Sequence, residues 1–487
     1  MRDYSFGNFI SAQRERCGLS QYQLGALVGV SDKAVSKWEN GVSKPRTGIM
    51  LKLSEVLDVS VDELLTCEYV SSNKRKDLFA MKKDILSLAE CRLRKIYGDN
   101  PHVIVSNRFS QEKLMLCESE TLLWFGFLGK LQEKFSKEHA YFCIRGAQAG
   151  ASFIAWLLNG TCVNSLPAHY YCPHCKKIEF VKGAKCGLDL ENKKCECDHD
   201  YKKDGFDIDA INMYPLVQWN EINVSQNAAK LVEDVLKEYF GESGNIRKIQ
   251  MCTEGQLEEY AEISVTRYGL FPKELSVQYS DENVKMSLAE FSKIRKTIPG
   301  ITVVEDANDT VCIDDITNTA FSKQQIKEFF DYSVRHGLYH GETFDRHFDR
   351  ILPDIKEPKF SDLLTLAGFL HGTGVWEDNA ELLYEAGIPL EQLISCREDV
   401  YSYLYEKLNN KCCLNPSGRV FEIKESVCKG KYSNNRMPAE IEENLLECGV
   451  PEWYVNSMKR IRYLFPKTHL ITMLKHDICS FLNDKFR

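Results

Sequence analysis

The sequence predicts a multidomain, mainly α-helical chain. A small five-helix bundle comes first, an α+β region holding a cysteine cluster follows, and a helical C-terminal region ends it. Three observations predict this. At 487 residues the chain has room for about three domains at roughly 100–200 residues each. Apolar residues recur at helical spacing in short bursts near the N-terminus and in longer stretches beyond. Hydrophobic residues make up 44% and charged residues 27%, the balance of a folded globular chain. The expected boundaries are 1–66 for the bundle, 67–106 for a linker and helix, 107–340 for the α+β region and 341–487 for the last region.

No run of about 18 apolar residues is present, which argues against a membrane span. The start, Met1 to Ser5, lacks an apolar core before a small-residue cleavage site, so no secretory signal is expected. Nineteen cysteines in such a chain point to a reducing, cytoplasmic setting, where a close cluster reads as a metal site before a disulfide. The net charge is −8, so nucleic-acid contact needs a local basic patch. Residues 1–46 supply one, with seven Lys/Arg against four acids.

Within the first 65 residues the apolar positions fall in five groups, led by Phe6, Leu24, Ala34, Ile49 and Val61. Ser20 and Ser31 are N-cap candidates for the second and third helices. Ser60 and Glu63 form a capping-box pattern before the fifth. Gly29-Val30-Ser31 is a three-residue connection with a glycine where a tight turn needs positive φ. That is the loop length of a helix-turn-helix. Ala26 supplies the small residue expected where two helices cross closely. The third helix then exposes Asp32, Lys33, Ser36 and Lys37 opposite Val35 and Trp38, a face able to offer hydrogen bonds to base edges in a major groove.

Ser71 to Lys76 is polar and unperiodic, and reads as a linker. Residues 77–96 follow with helical spacing, and Gln111 to Lys137 shows one long helical pattern. Then comes a loop of small residues from Arg145 and Gly146 through Gly150 to Ser152. Such a loop before a helix can cradle phosphates or can simply start a helix.

Cys172 and Cys175 form a Cys-x2-Cys knuckle, and Cys195-Glu196-Cys197 follows after nineteen residues. Four thiolates gathered by two short turns suit tetrahedral Zn2+. The second pair is one residue short of the usual spacing, so Cys186 or His199 remains an alternative to Cys197. His336, His340 and His347 read as ordinary loop histidines, because Gly337 and Gly341 interrupt any helix that would align them.

The segment from Gly18-Leu19-Ser20-Gln21 to Trp38-Glu39-Asn40-Gly41 resembles the Cro/lambda-repressor family of helix-turn-helix domains over residues 5–65. The resemblance implies that Gln21 touches phosphate and base, and that Lys33 and Lys37 read bases. It further implies that Asn40, Lys44 and Arg46 lie on the DNA backbone, and that Arg14 and Glu39 form a buried ion pair. Double-stranded DNA is then the expected partner, with a homodimer on paired half-sites.

A second resemblance is to the bacterial replicative DNA polymerase III of PolC type. It is carried by Cys143 to Ala155, Asn164 to Cys172, Tyr201 to Gly205, Leu370-His371-Gly372-Thr373, Ser395 to Asp399, Ile423 to Lys431 and Phe465-Pro466-Lys467-Thr468-His469. It implies a palm-like region with a zinc element, then helical fingers. Arg145 with the loop around Gly146, Gly150 and Ser152 would meet a nucleotide's phosphates, and Lys467 and His469 would line the same pocket.

Nucleotide addition needs two Mg2+ ions held by strand-borne carboxylates. Asp207 and Asp209 form the one nearby pair, yet they follow the zinc element where the family has not reached its catalytic strand. That strand is expected to be deleted or fused, although Ile298 to Val304 faintly resembles a later palm strand. Residues 318–340 read as helix behind a Ser322–Gln325 capping box, which leaves no strand for a third aspartate. Asp314 and Asp315 have only their acidity to recommend them. The expected function is therefore a sequence-specific DNA-binding regulator carrying a catalytically inactive polymerase-like body. The alternative is a DNA polymerase or a replication-associated DNA-binding protein.

Overall fold

The computed structural model describes residues 4–67, 72–138, 142–213, 322–335 and 351–486, bar 46, 58, 60, 71, 118, 120, 145–146, 352–353, 356 and 410–415. It also describes 219–225, 229–240, 244–252, 260–268, 284–287 and 300–306. Helix dominates among them, as the apolar spacing predicts.

The N-terminal bundle is α1 (Tyr4–Arg16), α2 (Gln21–Val28), α3 (Asp32–Glu39), α4 (Thr47–Leu57) and α5 (Val61–Thr66). One core made of Phe6, Ile10, Leu24, Val35, Leu53 and Leu64 with their neighbours closes it. Each such side chain contributes about 1.5–3 kcal/mol by leaving water. Ser20 caps α2 with a full capping box to Gln23, and Ser31 accepts from the Ala34 N–H to cap α3. Gly29 ends α2 at φ +80°, a left-handed position that costs glycine little. The small residue at the α2–α3 crossing is Gly25, whose Cβ would lie 2.8 Å from the Val30 carbonyl. Ala26 is exposed, so that expectation was one position out. Ser60 lies outside the described residues.

The polar run before residue 77 is not a coil. Helix α6 (Ser72–Tyr97) starts at Ser72. The long helical stretch is two helices, α7 (Val103–Leu116) and α8 (Thr121–Lys137). Val105, Phe109, Glu112 and Leu116 are the buried stripe of α7, which ends at Leu116 before α8 begins at Thr121.

Beyond α8 lie β1 (Phe142–Ile144), α9 (Ala147–Ala151) and α10 (Phe153–Leu157). Then come β2 (His169–Tyr171), β3 (Ile178–Phe180) and β4 (Lys202–Asp204), a three-stranded antiparallel sheet in the order β3-β2-β4. A second sheet holds β5 (Trp219–Ser225), β6 (Gly244–Cys252), β7 (Tyr260–Tyr268), β8 (Val284–Ser287) and β9 (Gly300–Asp306), in the order β1-β5-β9-β6-β7-β8. β9 covers the segment read as a later palm strand and pairs in parallel with both β5 and β6. A helix, α11 (Ala229–Phe240), packs on α8 and this sheet. The helix Lys323–Arg335 follows, and Ser322 accepts from the Gln325 N–H as its spacing predicts. The described part of the C-terminal region is mainly helical, and its last helix, Lys467–Phe486, packs on α9 and on the helices Lys323–Arg335 and Phe360–His371.

Candidate functional site

The DNA-facing candidates sit on a braced frame. Glu39, at the end of α3, accepts two bonds from Arg14 on α1, at 2.6 Å from Nε and 3.2 Å from Nη2. The pair is nearly buried, with side-chain exposures of 12% and 7%, and the carboxylate pushes the guanidinium pKa further up. Arg14 also donates to the Leu19 carbonyl at 2.8 Å. One charged hub thus ties α1, the α2 entrance and α3 together.

Gln21 donates to the same Glu39 at 2.7 Å, so its amide is held at the start of α2. Asn40 donates to the Ser36 carbonyl at 2.7 Å and lies 3.3 Å from its hydroxyl. Asp32, Lys33 and Lys37 are exposed. Among the described residues neither lysine has a hydrogen-bond or ion-pair partner. Lys44 lies over the Phe6 ring at 5.4 Å, and Arg46 is outside the described residues. The frame consumes Arg14 and Glu39 and leaves the two lysines of α3 available to a ligand.

The cysteine element is equally ordered. Cys172 follows β2 directly. The knuckle closes with the Cys172 N–H on the Lys177 carbonyl and the Cys175 N–H 3.5 Å from the Cys172 sulfur. In the second turn the Cys195 N–H bonds the His199 carbonyl at 2.8 Å. The four sulfurs of Cys172, Cys175, Cys195 and Cys197 lie within 4.8 Å of one another. Cys172–Cys197 and Cys175–Cys195 are both 3.4 Å apart. A tetrahedral Zn2+ with Zn–S of about 2.3 Å needs sulfurs about 3.8 Å apart, so this donor set fits that ion. Backbone N–H groups hold the Cys195 thiol down to about 6, toward the thiolate a metal requires.

Cys197 belongs to the set despite the short spacing. Cys186 is buried elsewhere, its thiol pushed up to about 12 by burial. His199 stacks on His174 at 4.0 Å and its Nδ1 lies 3.5 Å from the Cys197 sulfur, so these two histidines and Cys197 form an adjoining donor group. Behind the cysteines, His169 bonds Tyr97 at 3.0 Å, and Asn164 reaches Tyr97 at 3.3 Å and Asp204 at 3.0 Å. Burial pushes His169 down toward its neutral form.

The described end of the small-residue segment, 149–152, is buried. Ser152 is fully buried, donates to Glu112 at 2.7 Å and caps the Ala155 N–H. Glu112, a buried carboxylate of α7, also accepts from the Phe153 and Ile154 amides at 2.8 and 3.0 Å. The helix-start amides that a phosphate would need already hold a carboxylate. Arg108 pairs with Glu112 at 2.5 Å and reaches the Ile208 and Ala151 carbonyls and the Ser165 hydroxyl. A Cβ on Gly150 would meet Thr468 at 2.7 Å, so that glycine admits the last helix. Arg145 and Gly146 lie outside the described residues.

Lys467 starts that last helix with its N–H on Glu398 at 2.6 Å and its ammonium on the Phe206 carbonyl at 2.7 Å. Glu398 is buried, and its pKa is raised by that burial. His469 faces His371 across 3.2 Å between their Nε2 atoms, and both rings pack on Phe465.

Asp207 and Asp209 lie on no strand. Asp207 is exposed at φ +51°. Asp209 uses its carboxylate on the Ile211 N–H at 2.8 Å, opening the turn Ala210–Met213. The strand after the cysteine element, β5, carries Trp219, Asn220 and Glu221 in place of an Asp-x-Asp pair, with Glu221 in register with Thr302 of β9. Asp314, Asp315, His336, His340 and His347 are outside the described residues.

Sequence reasoning missed Arg108 and Glu112, and gave no role to Arg397, Glu398 and His371 although they lie in motifs of the second resemblance. Glu112 was findable, since it sits on the apolar stripe of α7 four residues after an arginine. Arg397 straps the last helix through the Leu464 carbonyl at 2.7 Å, and nothing local in the sequence signals that.

Residues 10–64 match the helix-turn-helix family model. The N-terminal bundle is therefore a DNA-binding module of the helix-turn-helix type. The chain is also 28% identical over 457 residues to DNA polymerase III PolC-type of Ureaplasma parvum serovar 3, covering 79% of this chain and 31% of that protein. It is 28% identical over 475 residues to the same enzyme of Bacillus subtilis strain 168 (81% and 32%). With that of Staphylococcus aureus it is 26% identical over 480 residues (84% and 32%). The chain spans about a third of the length of the curated relatives it matches. Among the described residues no helix is long and apolar enough to cross a membrane.

Proposed function

We propose that the chain is a sequence-specific, cytoplasmic DNA-binding transcriptional regulator, and that its polymerase-related body no longer catalyses nucleotide addition. The observation that carries this reading is the braced α3, with Lys33 and Lys37 exposed and free of partners. Arg14 and Glu39 fix the helix, so the lysines enter a major groove with little further ordering. Asp32 and Ser36 share that face. Gln21, Asn40, Lys44 and Arg46 supply the flanking phosphate contacts. A homodimer reading two half-sites follows from the usual use of this module. The proposed division is residues 1–66 for DNA reading and 67–106 for a connecting segment. The polymerase-like body is 107–340, with the fingers-like region at 341–487.

The body supports an inactive reading because Asp207 and Asp209 lie off any strand, with the Asp209 carboxylate taken by the Ile211 N–H. Glu112 fills the helix-start amides beside Ser152. Gly150 and Lys467 pack elements together, which leaves nucleotide binding at Arg145, Gly146 and His469 as the remaining possibility for that pocket. Zn2+ held by Cys172, Cys175, Cys195 and Cys197 would clamp two turns and stabilise the fold. The relationship to PolC-type polymerases favours a second reading, a DNA polymerase using Mg2+.

Purified protein given primed template, dNTPs and Mg2+ separates the two readings. No template-directed extension is expected, and extension lost on changing Asp207 and Asp209 would establish the second. Lys33→Ala with Lys37→Ala should weaken site-specific binding by about 1–3 kcal/mol per lost base contact. Equal discrimination by the double variant would defeat the regulator reading.

A further inference from the structure

We propose that the cysteine element holds a second divalent transition-metal ion on His174, His199 and Cys197. This ion is the weaker and exchangeable one, and the Cys197 thiolate is shared between the two. The inference rests on the Zn2+ reading of Cys172, Cys175, Cys195 and Cys197, and goes beyond it because neither histidine belongs to that set.

Each of the two turns supplies one imidazole. His174 lies between Cys172 and Cys175 in the first. The second is a tight hairpin closed by the Lys194–Asp200 bridge, with the Cys195 N–H on the His199 carbonyl at 2.8 Å and the Asp198 N–H on the Cys195 carbonyl at 2.9 Å. Asp198 is left-handed at φ +65°, a conformation that aspartate adopts more readily than most residues. The hairpin thereby returns His199 to the side of Cys197. The Cys-x-Cys spacing, one residue short for a lone zinc knuckle, belongs to this tighter turn.

The distances suit one ion. The ligand atoms of His174, Cys197 and His199 lie within 4.8 Å of one another. His199 Nδ1 is 3.5 Å from the Cys197 sulfur. Bonds of about 2.3 Å to sulfur and about 2.0–2.1 Å to nitrogen put those two donors of a tetrahedral Zn2+ about 3.5 Å apart. The rings of His174 and His199 stack 5° from parallel with centroids 4.0 Å apart, so both imidazoles stand at the same rim. Nδ1 of His199 also lies 2.9 Å from the Cys197 carbonyl, which seats the ring over its own turn. Ligation through Nδ1 places the ring proton on Nε2.

Charge favours a cation there. Four thiolates outweigh one Zn2+, so the filled four-sulfur centre is anionic. The neighbouring lysines are engaged elsewhere: Lys177 with Glu196 at 2.6 Å, Lys193 with Glu179 at 2.7 Å, Lys194 with Asp198 at 3.0 Å, and Lys176 with the Pro173 carbonyl at 2.7 Å. Cys172 and Cys195 are buried, whereas Cys197 is half-buried and both histidines are exposed. Three protein donors leave a fourth position to water. The closed site keeps its ion, and the open one exchanges it.

The test uses the full chain, loaded with Zn2+ and desalted. One Zn2+ per chain is expected to remain. Co2+ is then titrated in while the absorption spectrum and released Zn2+ are both followed. One further Co2+ per chain should bind without Zn2+ release, with the visible bands of tetrahedral Co2+ and a thiolate-to-metal charge-transfer band from Cys197. His174→Ala with His199→Ala, both at exposed positions, should keep the first Zn2+ and weaken Co2+ binding at least about tenfold, since losing even an outer partner of a ligand costs about 10–100-fold. Co2+ uptake matched by Zn2+ release, a spectrum without the charge-transfer band, or Co2+ affinity unchanged within about twofold in the double variant overturns the proposal. So does loss of the first Zn2+ from that variant, which would put the histidines in the four-sulfur site. A chain that retains no Zn2+ at the outset defeats the four-cysteine reading and this one with it, whereas Zn2+ retained with no Co2+ bound defeats this one alone.

Discussion

Replacing Glu39 with alanine probes the frame beneath α3, the helix proposed to face DNA. The substitution removes the closer of two acidic partners of a nearly buried Arg14, leaving Glu15 at 3.3 Å, and unpairs Gln21. Breaking a buried ion pair by deleting one member costs about 3–5 kcal/mol. Arg14 keeps its bond to the Leu19 carbonyl, which places the expected cost near the lower end, about 3 kcal/mol. A module of some sixty residues has about 3–9 kcal/mol in total, so the loss is a large share. It should appear locally, as hydrogen exchange of the slowest α1 and α3 amides accelerating by roughly 100-fold at about 1.4 kcal/mol per decade. Exchange in α7 and α8 should not change. The combined Arg14→Ala and Glu39→Ala variant should cost clearly less than the sum of the two singles, because no charge is left stranded. A Glu39→Ala effect below about 1 kcal/mol, or strict additivity in the pair, would refute the claim that this contact braces the module, since surface pairs contribute about 0–1 kcal/mol.

Other outcomes follow from the same structure. Metal analysis should find one Zn per chain, and Cys172→Ser should abolish it and lower thermal stability, whereas Cys186→Ser should leave the metal content unchanged. Glu112→Ala should destabilise the polymerase-like body by about 3–5 kcal/mol, seen by denaturant unfolding, because it strands Arg108 and frees buried amides. His169 has its pKa lowered by burial. Its contribution is therefore full above the ordinary imidazole value and is lost as pH falls below about 6.5. The acid loss of stability should be shallower in His169→Gln than in the parent, and an identical pH profile would exclude His169 as a contributor.

What the sequence made legible was local. Ser20, Ser31 and Ser322 announce helix starts because a cap and its helix lie within three residues. The cysteine pairs announce a four-sulfur cluster because each short turn is self-contained. Ala26 shows the limit: a small residue was required at the crossing, but only the three-dimensional path of α2 selects Gly25. The polar run after Ser71 read as linker because it has no apolar stripe, although lysine and arginine are good helix formers. Ser152 and Gly150 read equally as phosphate cradle or packing residues, since the decision rests with Glu112 and Thr468, which are distant in the chain. Likewise β5 lacks a strong alternation, and its parallel pairing with β9, some eighty residues away, is what defines it.

The most direct test of the account is genome-wide occupancy of the chain in a native host, run beside the Lys33→Ala, Lys37→Ala variant. Sharply bounded sites sharing a common sequence should appear with the parent and disappear with the variant. The same sites retained by the variant, or a diffuse profile from both, would contradict reading by α3.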